Sequence, residues 1–401
     1  MPGSQFFNAL RDVTNTGNKM IKMTDYAKVV LVIVIFILFL LMSWIYTTLN
    51  KENAACNKLN TMYRTQNTFI SNSYLNNGRQ IKRKGDYQNN EADKDYICIL
   101  RNYYIKAAYN CCCGDGYKNN FVNECALEKC IAQGARCLDF EIYSYNNEPI
   151  VAASTANNNS IKETYNSLKL TDVFDMLNTK AFNSDGTASA NDPMILHLRI
   201  MSENATIYDL IAKYIVSHLT RGGDHLLPLK YTIQDAEYEG KNGDELLQMP
   251  ITNLYQKYII AVHTNHKSIL ENSRLVRFVN FKSGSNKFQL FRYNQMSASD
   301  SNNPLIINAS KPCLFMVIPS INNSIVNYDY LIPLSNGCQI IAMKFQNMDN
   351  NLISYNKFFK GKGGHPYVLK PDNLKLILEK EAPIVSGASL IRKADMLGLF
   401  G

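Results

Sequence analysis

Three observations in the 401-residue sequence predict an α/β chain, with a single transmembrane helix ahead of one large eight-stranded barrel. The first is Val29–Tyr46, VVLVIVIFILFLLMSWIY, eighteen residues without a charge. The second is the alternation of short apolar runs with amphipathic stretches from residue 97 onward. The third is that these runs number eight. Strands alternating with helices form a parallel sheet, and eight of them close it as a TIM-like (β/α)8 barrel.

The apolar run, with a residue or two added at each end, spans the ~30 Å hydrocarbon layer at about 1.5 Å per residue. Trp44 and Tyr46 mark one edge, where amphipathic rings favour the headgroup level. A cleaved signal peptide fits poorly. The preceding flank has 28 residues, the run exceeds the usual ~7–15, and no small-residue cleavage site follows. Pro2 after Met1 removes the myristoylation pattern. Arg11, Lys19, Lys22 and Lys28 precede the span, and Lys51, Lys58 and Arg64 follow it, a slight lean toward a cytosolic amino terminus. All ten cysteines and the sequons at Asn158, Asn204, Asn308 and Asn322 lie beyond it, which suits a non-cytosolic, oxidising location for the large carboxy-terminal part.

Composition narrows the classes further. Hydrophobic residues make up 46%, which excludes global disorder, and a mean hydropathy of −0.20 excludes a multispan transporter. The net charge of +8 is too small to imply nucleic acid, and no nucleic-acid partner is expected.

In chain order, residues 1–28 form an amino-terminal segment, 29–48 the transmembrane helix and 49–96 a polar stalk. Residues 97–375 form the barrel, and 376–401 a tail. Within the barrel, 97–265 is the first half, 266–312 an insertion or linker, and 313–375 the second half. The expected strands are Tyr96–Ala107, Cys137–Tyr143, Met194–Ile200, Tyr258–His263, Leu275–Phe281, Cys313–Ile318, Ile340–Phe345 and Pro366–Leu369. Amphipathic helices are expected at Asn123–Gln133 and Thr206–Leu219.

Two long motifs carry a resemblance. NGCQIIAMKFQNMD (336–349), followed by PYVLKP (366–371), resembles the carboxy-terminal half-barrel of eukaryotic phosphoinositide-specific phospholipase C. ALEKCIAQGARCLDFEIY (126–143) with NNEPIVAAS (146–154) is similar to the amino-terminal half, and NYDYLIP (327–333) falls where the family carries its SNYNP turn. The likeness runs over roughly 97–375 and implies a PLC-like phosphodiesterase barrel. In that family a His-Asn pair, two carboxylates on the next strand, a second His and a third-strand carboxylate hold calcium and move protons.

Against that pattern the chemistry is degenerate. The His-Asn slot is Tyr109-Asn110, the acidic pair is Asp139 and Glu141, and the second His slot is Ala153. Arg199 stands in the third carboxylate slot. The phosphate-gripping lysine slots hold Ala261 and His263, and the substrate Arg and Tyr slots hold Met316 and Ile318. General acid–base catalysis needs a group titrating near neutrality beside the phosphodiester, and Tyr and Ala are not such groups. Calcium wants about six to eight oxygens, so a cation in a ligand slot weakens the site considerably. The resemblance therefore implies an inactivated barrel with neither metal nor cofactor.

Side chains alternate along a strand, so Asp139 and Glu141, His197 and Arg199, and Ala261 and His263 each share an inward face. Asp139, Glu141, His197, Arg199 and His263 form the residual pocket, with Arg199 expected to bridge Asp139 or Glu141. Three functions remain open. One is a membrane-anchored structural or interaction protein with protein partners in a larger assembly. Another is a tethered phosphodiesterase with His197 or His263 as base and Arg199 holding phosphate. The last is an inositol-phosphate or lipid-binding module. The Asn/Lys/Ile/Tyr-rich composition suits an AT-rich genome, such as that of a large DNA virus or a protist, and hence a virion membrane or minor capsid protein. Disulfides are expected among Cys111, Cys112, Cys113, Cys125 and Cys130, with Cys137 and Cys338 packed as thiols.

Overall fold

The structure, a computed structural model, describes residues 3–65, 74–76, 79–80, 98–156, 161–296 and 301–376. Helix α1 runs over Gly3–Thr65. It contains the one described helix long and apolar enough to cross a membrane, and its side chains from Val29 to Tyr46 are exposed.

The expected polar stalk is corrected in part. Residues 49–65 continue α1 as helix, and Ala55, Leu59 and Tyr63 are buried against the barrel. Their spacing of four places them on one helix face. Tyr63 Oη donates to the Phe345 carbonyl at 2.6 Å, and Lys58 lies 3.6 Å from Asp115. Cys56 is disulfide-bonded to Cys125. Farther on, Leu75 is fully buried, and the backbone amides of Tyr74 and Leu75 donate to Asp192 at 2.8 and 2.7 Å. Apart from 74–76 and 79–80, residues 66–97 lie outside the described residues, as does most of the tail, 377–401. Replacing Leu75 by Ala is expected to lower unfolding free energy by about 2–4 kcal/mol, because a filled site becomes a cavity. Chemical denaturation of the detergent-solubilised chain measures this.

The barrel strands are β1 (Tyr103–Ala108), β2 (Cys137–Tyr145), β4 (Met194–Ile200), β5 (Tyr258–Thr264), β6 (Phe281–Lys282), β7 (Phe288–Arg292), β8 (Leu314–Ile318) and β9 (Ile340–Met343). Consecutive pairs are parallel from β7 through β8, β9, β1, β2, β4 and β5 to β6. β6 and β7 form no ladder with each other. Between them the Gly284 amide donates to the Phe288 carbonyl at 2.7 Å, so the barrel is nearly closed. β3 (Glu148–Ala152) is an antiparallel hairpin partner of β2.

Eight staves are present, but three expected members differ. Of Tyr96–Ala107, Leu100–Asn102 coils as a 3-10 turn and the strand begins at Tyr103. Of Leu275–Phe281 only the last residue enters β6, because Arg274–Arg277 coils as a 3-10 turn capped by the Ser273 hydroxyl. The eighth stave is β7, inside the stretch expected to be an insertion. β10 (Tyr367–Leu369) instead pairs antiparallel with the start of β1. The 266–312 segment is thus part of the barrel wall.

Helices α2 (Glu124–Ala132), α3 (Leu170–Lys180), α4 (Ala205–Tyr214) and α5 (Asn350–Gly361) cover the sheet. Asn123, Asn204 and Asp349 cap α2, α4 and α5 by accepting from amides in the first turn. The Asn204 amide also donates to Ser144 and Asn147, which occupies this sequon's side chain internally.

Candidate functional site: a buried ion-pair network at the barrel mouth

Parallel register sets the site. Asp139 lies beside His197, which lies beside Ala261; one row higher, Glu141, Arg199 and His263 are neighbours. Alternation then sends all six side chains inward near the carboxyl ends of their strands. The structure brings Asp139, Glu141, His197 and Arg199 together, joined by Asn110 from the loop after β1. Asn110 has φ +44°, a left-handed conformation that Asn tolerates better than most residues.

The Arg199 guanidinium is the hub. Its Nε donates to Asp139 Oδ1 at 2.9 Å, and Nη2 donates to Asp139 Oδ2 at 2.8 Å and to Asn110 Oδ1 at 2.7 Å. Its Nη1 donates to Glu141 Oε1 at 2.6 Å. Glu141 Oε2 accepts from Tyr143 Oη at 3.0 Å and from the Ser154 amide at 2.8 Å. Asp139 also accepts from His197 Nδ1 at 2.7 Å and from the Asn110 amide at 3.1 Å. The guanidinium carbon lies 4.9 Å from the centroid of the Tyr109 ring, within cation–π range. Ala153, in the second histidine slot, is fully buried beside Ser154.

Burial pushes the Asp139 carboxyl up, but Arg199 and the His197 hydrogen bond outweigh it and hold it well below the usual carboxylate range. Burial lowers His197, and its contact with Asp139 only partly offsets this. Arg199 is held charged despite burial by Asp139, Tyr109 and Glu141. Tyr109 is raised, chiefly by burial.

These residues do not fit a calcium ion. A calcium shell draws on several carboxylate and amide oxygens at once. Here Asn110 Oδ1, both Asp139 oxygens and Glu141 Oε1 all point at one guanidinium. Among the described residues, no group of three or more His, Cys, Asp or Glu is placed to hold a metal.

Above the network lies a cleft of about 160 Å³, lined by Arg199, His263, Asn265, Leu290, Arg292 and Gln295 among others. Arg292 Nη1 donates to the Pro319 carbonyl at 3.1 Å and to Tyr109 Oη at 3.4 Å. His263 Nδ1 is buried without a hydrogen-bond partner. Desolvation, then the neighbouring His197 and Arg199, lowers His263 to about 4. A free histidine near 6.5 takes up a proton that the folded site refuses until about 4. Stability is therefore full above about pH 6.5 and falls as pH drops toward 4, with His197 adding in the same direction. Thermal melts across that window are expected to show the decline, and His263→Gln to flatten it.

Sequence reasoning missed two residues of this region, Ser283 and Arg292. Both lie in the stretch read as an insertion, and only the identification of Phe288–Arg292 as a stave would have pointed to the latter. Met316 and Ile318 are buried in β8 and make no polar contribution.

The cysteine expectation is corrected. Cys125 pairs with Cys56 of α1, whereas Cys111, Cys112, Cys113 and Cys130 are buried thiols, as are Cys137 and Cys338. Docking of α1 on α2 presents Cys56 to Cys125, while the other four face the core. Burial raises the thiols of Cys111, Cys112, Cys113 and Cys137.

Residues 265–373 match the model of the phosphatidylinositol-specific phospholipase C, Y domain. The barrel shares the fold of the PLC-like phosphodiesterases. Among solved structures, PLC21 of L. pealei aligns with a TM-score of 0.53 at 17% identity, and PLC21 of S. officinalis with 0.52 at 16%. Each alignment covers 72% of this chain and 39% of the neighbour, so the chain spans well under half of those proteins. A calcium-dependent phosphoinositol-specific phospholipase C from a Pseudomonas species scores 0.42 at 13% identity, covering 70% of this chain and 100% of its own. At those identities the likeness concerns the fold. No curated protein sequence matches the chain.

Proposed function

We propose that the chain is a membrane-anchored phospholipase C-type barrel that no longer cleaves phosphoinositides and serves as a structural or interaction component. The observation that carries this reading is the Arg199 guanidinium, bound by Asn110, Asp139 and Glu141 where the family pattern places a metal. A fixed guanidinium supplies the charge that two inward carboxylates need, and it leaves them no capacity for a second cation. With Tyr109 and Ala153 in the histidine slots, the family's proton transfers lack their carriers.

The apolar part of α1, long enough to cross a bilayer, supports a barrel tethered at a membrane surface. Because the docked turns at Ala55–Tyr63 follow Tyr46 within about 25 Å of helix, the barrel is held close to the membrane. The Cys56–Cys125 disulfide favours a non-cytosolic side for it. A permanently tethered barrel of this kind suits protein partners in a larger assembly, such as a virion membrane or minor capsid layer.

The test is a phosphodiesterase assay of the detergent-solubilised chain on phosphatidylinositol vesicles and glycerophosphodiesters, with and without calcium. No turnover above background is expected in either condition. Calcium-stimulated release of inositol phosphate would overturn the proposal.

A further inference from the structure

The network contains an arrangement that the family chemistry does not use. His197 is fully buried, and its two ring nitrogens are both engaged. Nδ1 lies 2.7 Å from Asp139 Oδ1, and Nε2 lies 2.9 Å from Ser283 Oγ. Asp139 is a carboxylate held ionised by Arg199, so it can only accept a hydrogen bond. That fixes the tautomer: the proton sits on Nδ1, and Nε2 is left as an acceptor for the Ser283 hydroxyl. Phe288 stacks on the imidazole with centroids 6.0 Å apart and the rings tilted 15°, which further restrains its orientation.

Ser283 itself is not buried in the core. It is partly buried on the turn that closes the gap between β6 and β7, where, among the described residues, the barrel wall lacks a ladder. Its amide donates to the Val262 carbonyl at 2.8 Å, which sets it beside His263, a residue that lines the cleft. Gly284 follows with φ +89° and open space around it, so the tight turn rests on a residue free to adopt that conformation. Arg292 lines the same cleft, close enough to influence both histidines electrostatically.

We propose that Ser283, His197 and Asp139 form a nucleophilic serine site, with Ser283 as nucleophile, His197 as general base and Asp139 as the residue that positions the imidazole. The substrate class is a small ester bearing an anionic group, which Arg292 would meet in the cleft. Ser283 Oγ bonds to the electrophilic carbonyl carbon while its proton passes to His197 Nε2. The carbon–alkoxide bond then breaks, and the departing oxygen takes that proton from His197. Water repeats the sequence in reverse sense to release the acid and restore Ser283. No metal, oxidant or further reactant enters.

This inference goes beyond the structural role and does not depend on it, since it concerns ester rather than phosphoinositide chemistry. The experiment treats the detergent-solubilised full chain with a fluorophosphonate. Ser283 Oγ replaces fluoride on phosphorus, releasing hydrogen fluoride, and peptide mass mapping identifies the modified residue. Ser283 is expected to label in the native protein at least tenfold faster than after urea unfolding. Ser283→Ala is expected to abolish that adduct with its melting temperature retained, and His197→Gln to slow labelling by two orders of magnitude or more. The native-against-unfolded comparison decides the matter even if His197→Gln does not fold. Native Ser283 that stays unlabelled, or labels no faster than the unfolded chain, would overturn the proposal. So would labelling unchanged in a folded His197→Gln protein.

Discussion

Replacing Arg199 by Met is expected to destabilise the barrel more than any other single substitution within the site. The change leaves Asp139 and Glu141 buried and without a cation, and removing one partner of a buried pair typically costs about 3–5 kcal/mol. For a barrel of this size that corresponds to a fall in melting temperature on the order of 10 °C. Arg199→Lys is expected to recover little, because an ammonium cannot serve Asp139, Glu141 and Asn110 at once with the planar fork they require. Neutralising the carboxylates as well, in the triple variant Arg199→Met, Asp139→Asn and Glu141→Gln, is expected to regain much of the loss. Differential scanning fluorimetry of the four proteins separates charge compensation from simple packing, since packing alone predicts that the triple variant is worse than the single one.

Cutting the covalent link between α1 and the barrel is expected to have the next largest effect. Cys56 and Cys125 are 69 residues apart in sequence, and closing a loop of that length restricts the unfolded chain by about 4 kcal/mol in the chain-entropy model. Cys56→Ser is therefore expected to lower stability by about 2–4 kcal/mol. A reductant should lower the melting temperature of the parent protein and leave that of Cys56→Ser unchanged. Equal sensitivity of both proteins would show that the stabilising cross-link lies elsewhere.

The barrel was legible because its central staves are buried on both faces and so read as largely apolar runs, broken only at the site residues, as in MILHLRI and YIIAVHT. The seam was not legible. FQLFR is a half-buried stave with polar residues at its second and last positions, and LVRFVNF is apolar yet coils because Ser273 caps a 3-10 turn. PYVLKP resembles a stave in composition, but pairing direction is set by tertiary contact with β1, which no local pattern encodes. The docked part of α1 carried a signal in the four-residue spacing of Ala55, Leu59 and Tyr63, obscured by the Asn and Lys residues around it. At the site, strand alternation placed Asp139, Glu141, His197 and Arg199 on shared inward faces. It could not supply Ser283 or Arg292, which arrive from the seam, nor the helix-to-helix meeting of Cys56 with Cys125.

The central claim is that a guanidinium occupies the position of a metal. A high-resolution crystal structure of the chain, grown with millimolar calcium, tests it most directly through anomalous difference density at the barrel mouth. The account predicts Arg199 between Asp139 and Glu141, with no anomalous peak within coordination distance of either carboxylate. A divalent ion bound between those two carboxylates, with Arg199 turned out toward the cleft, would contradict it.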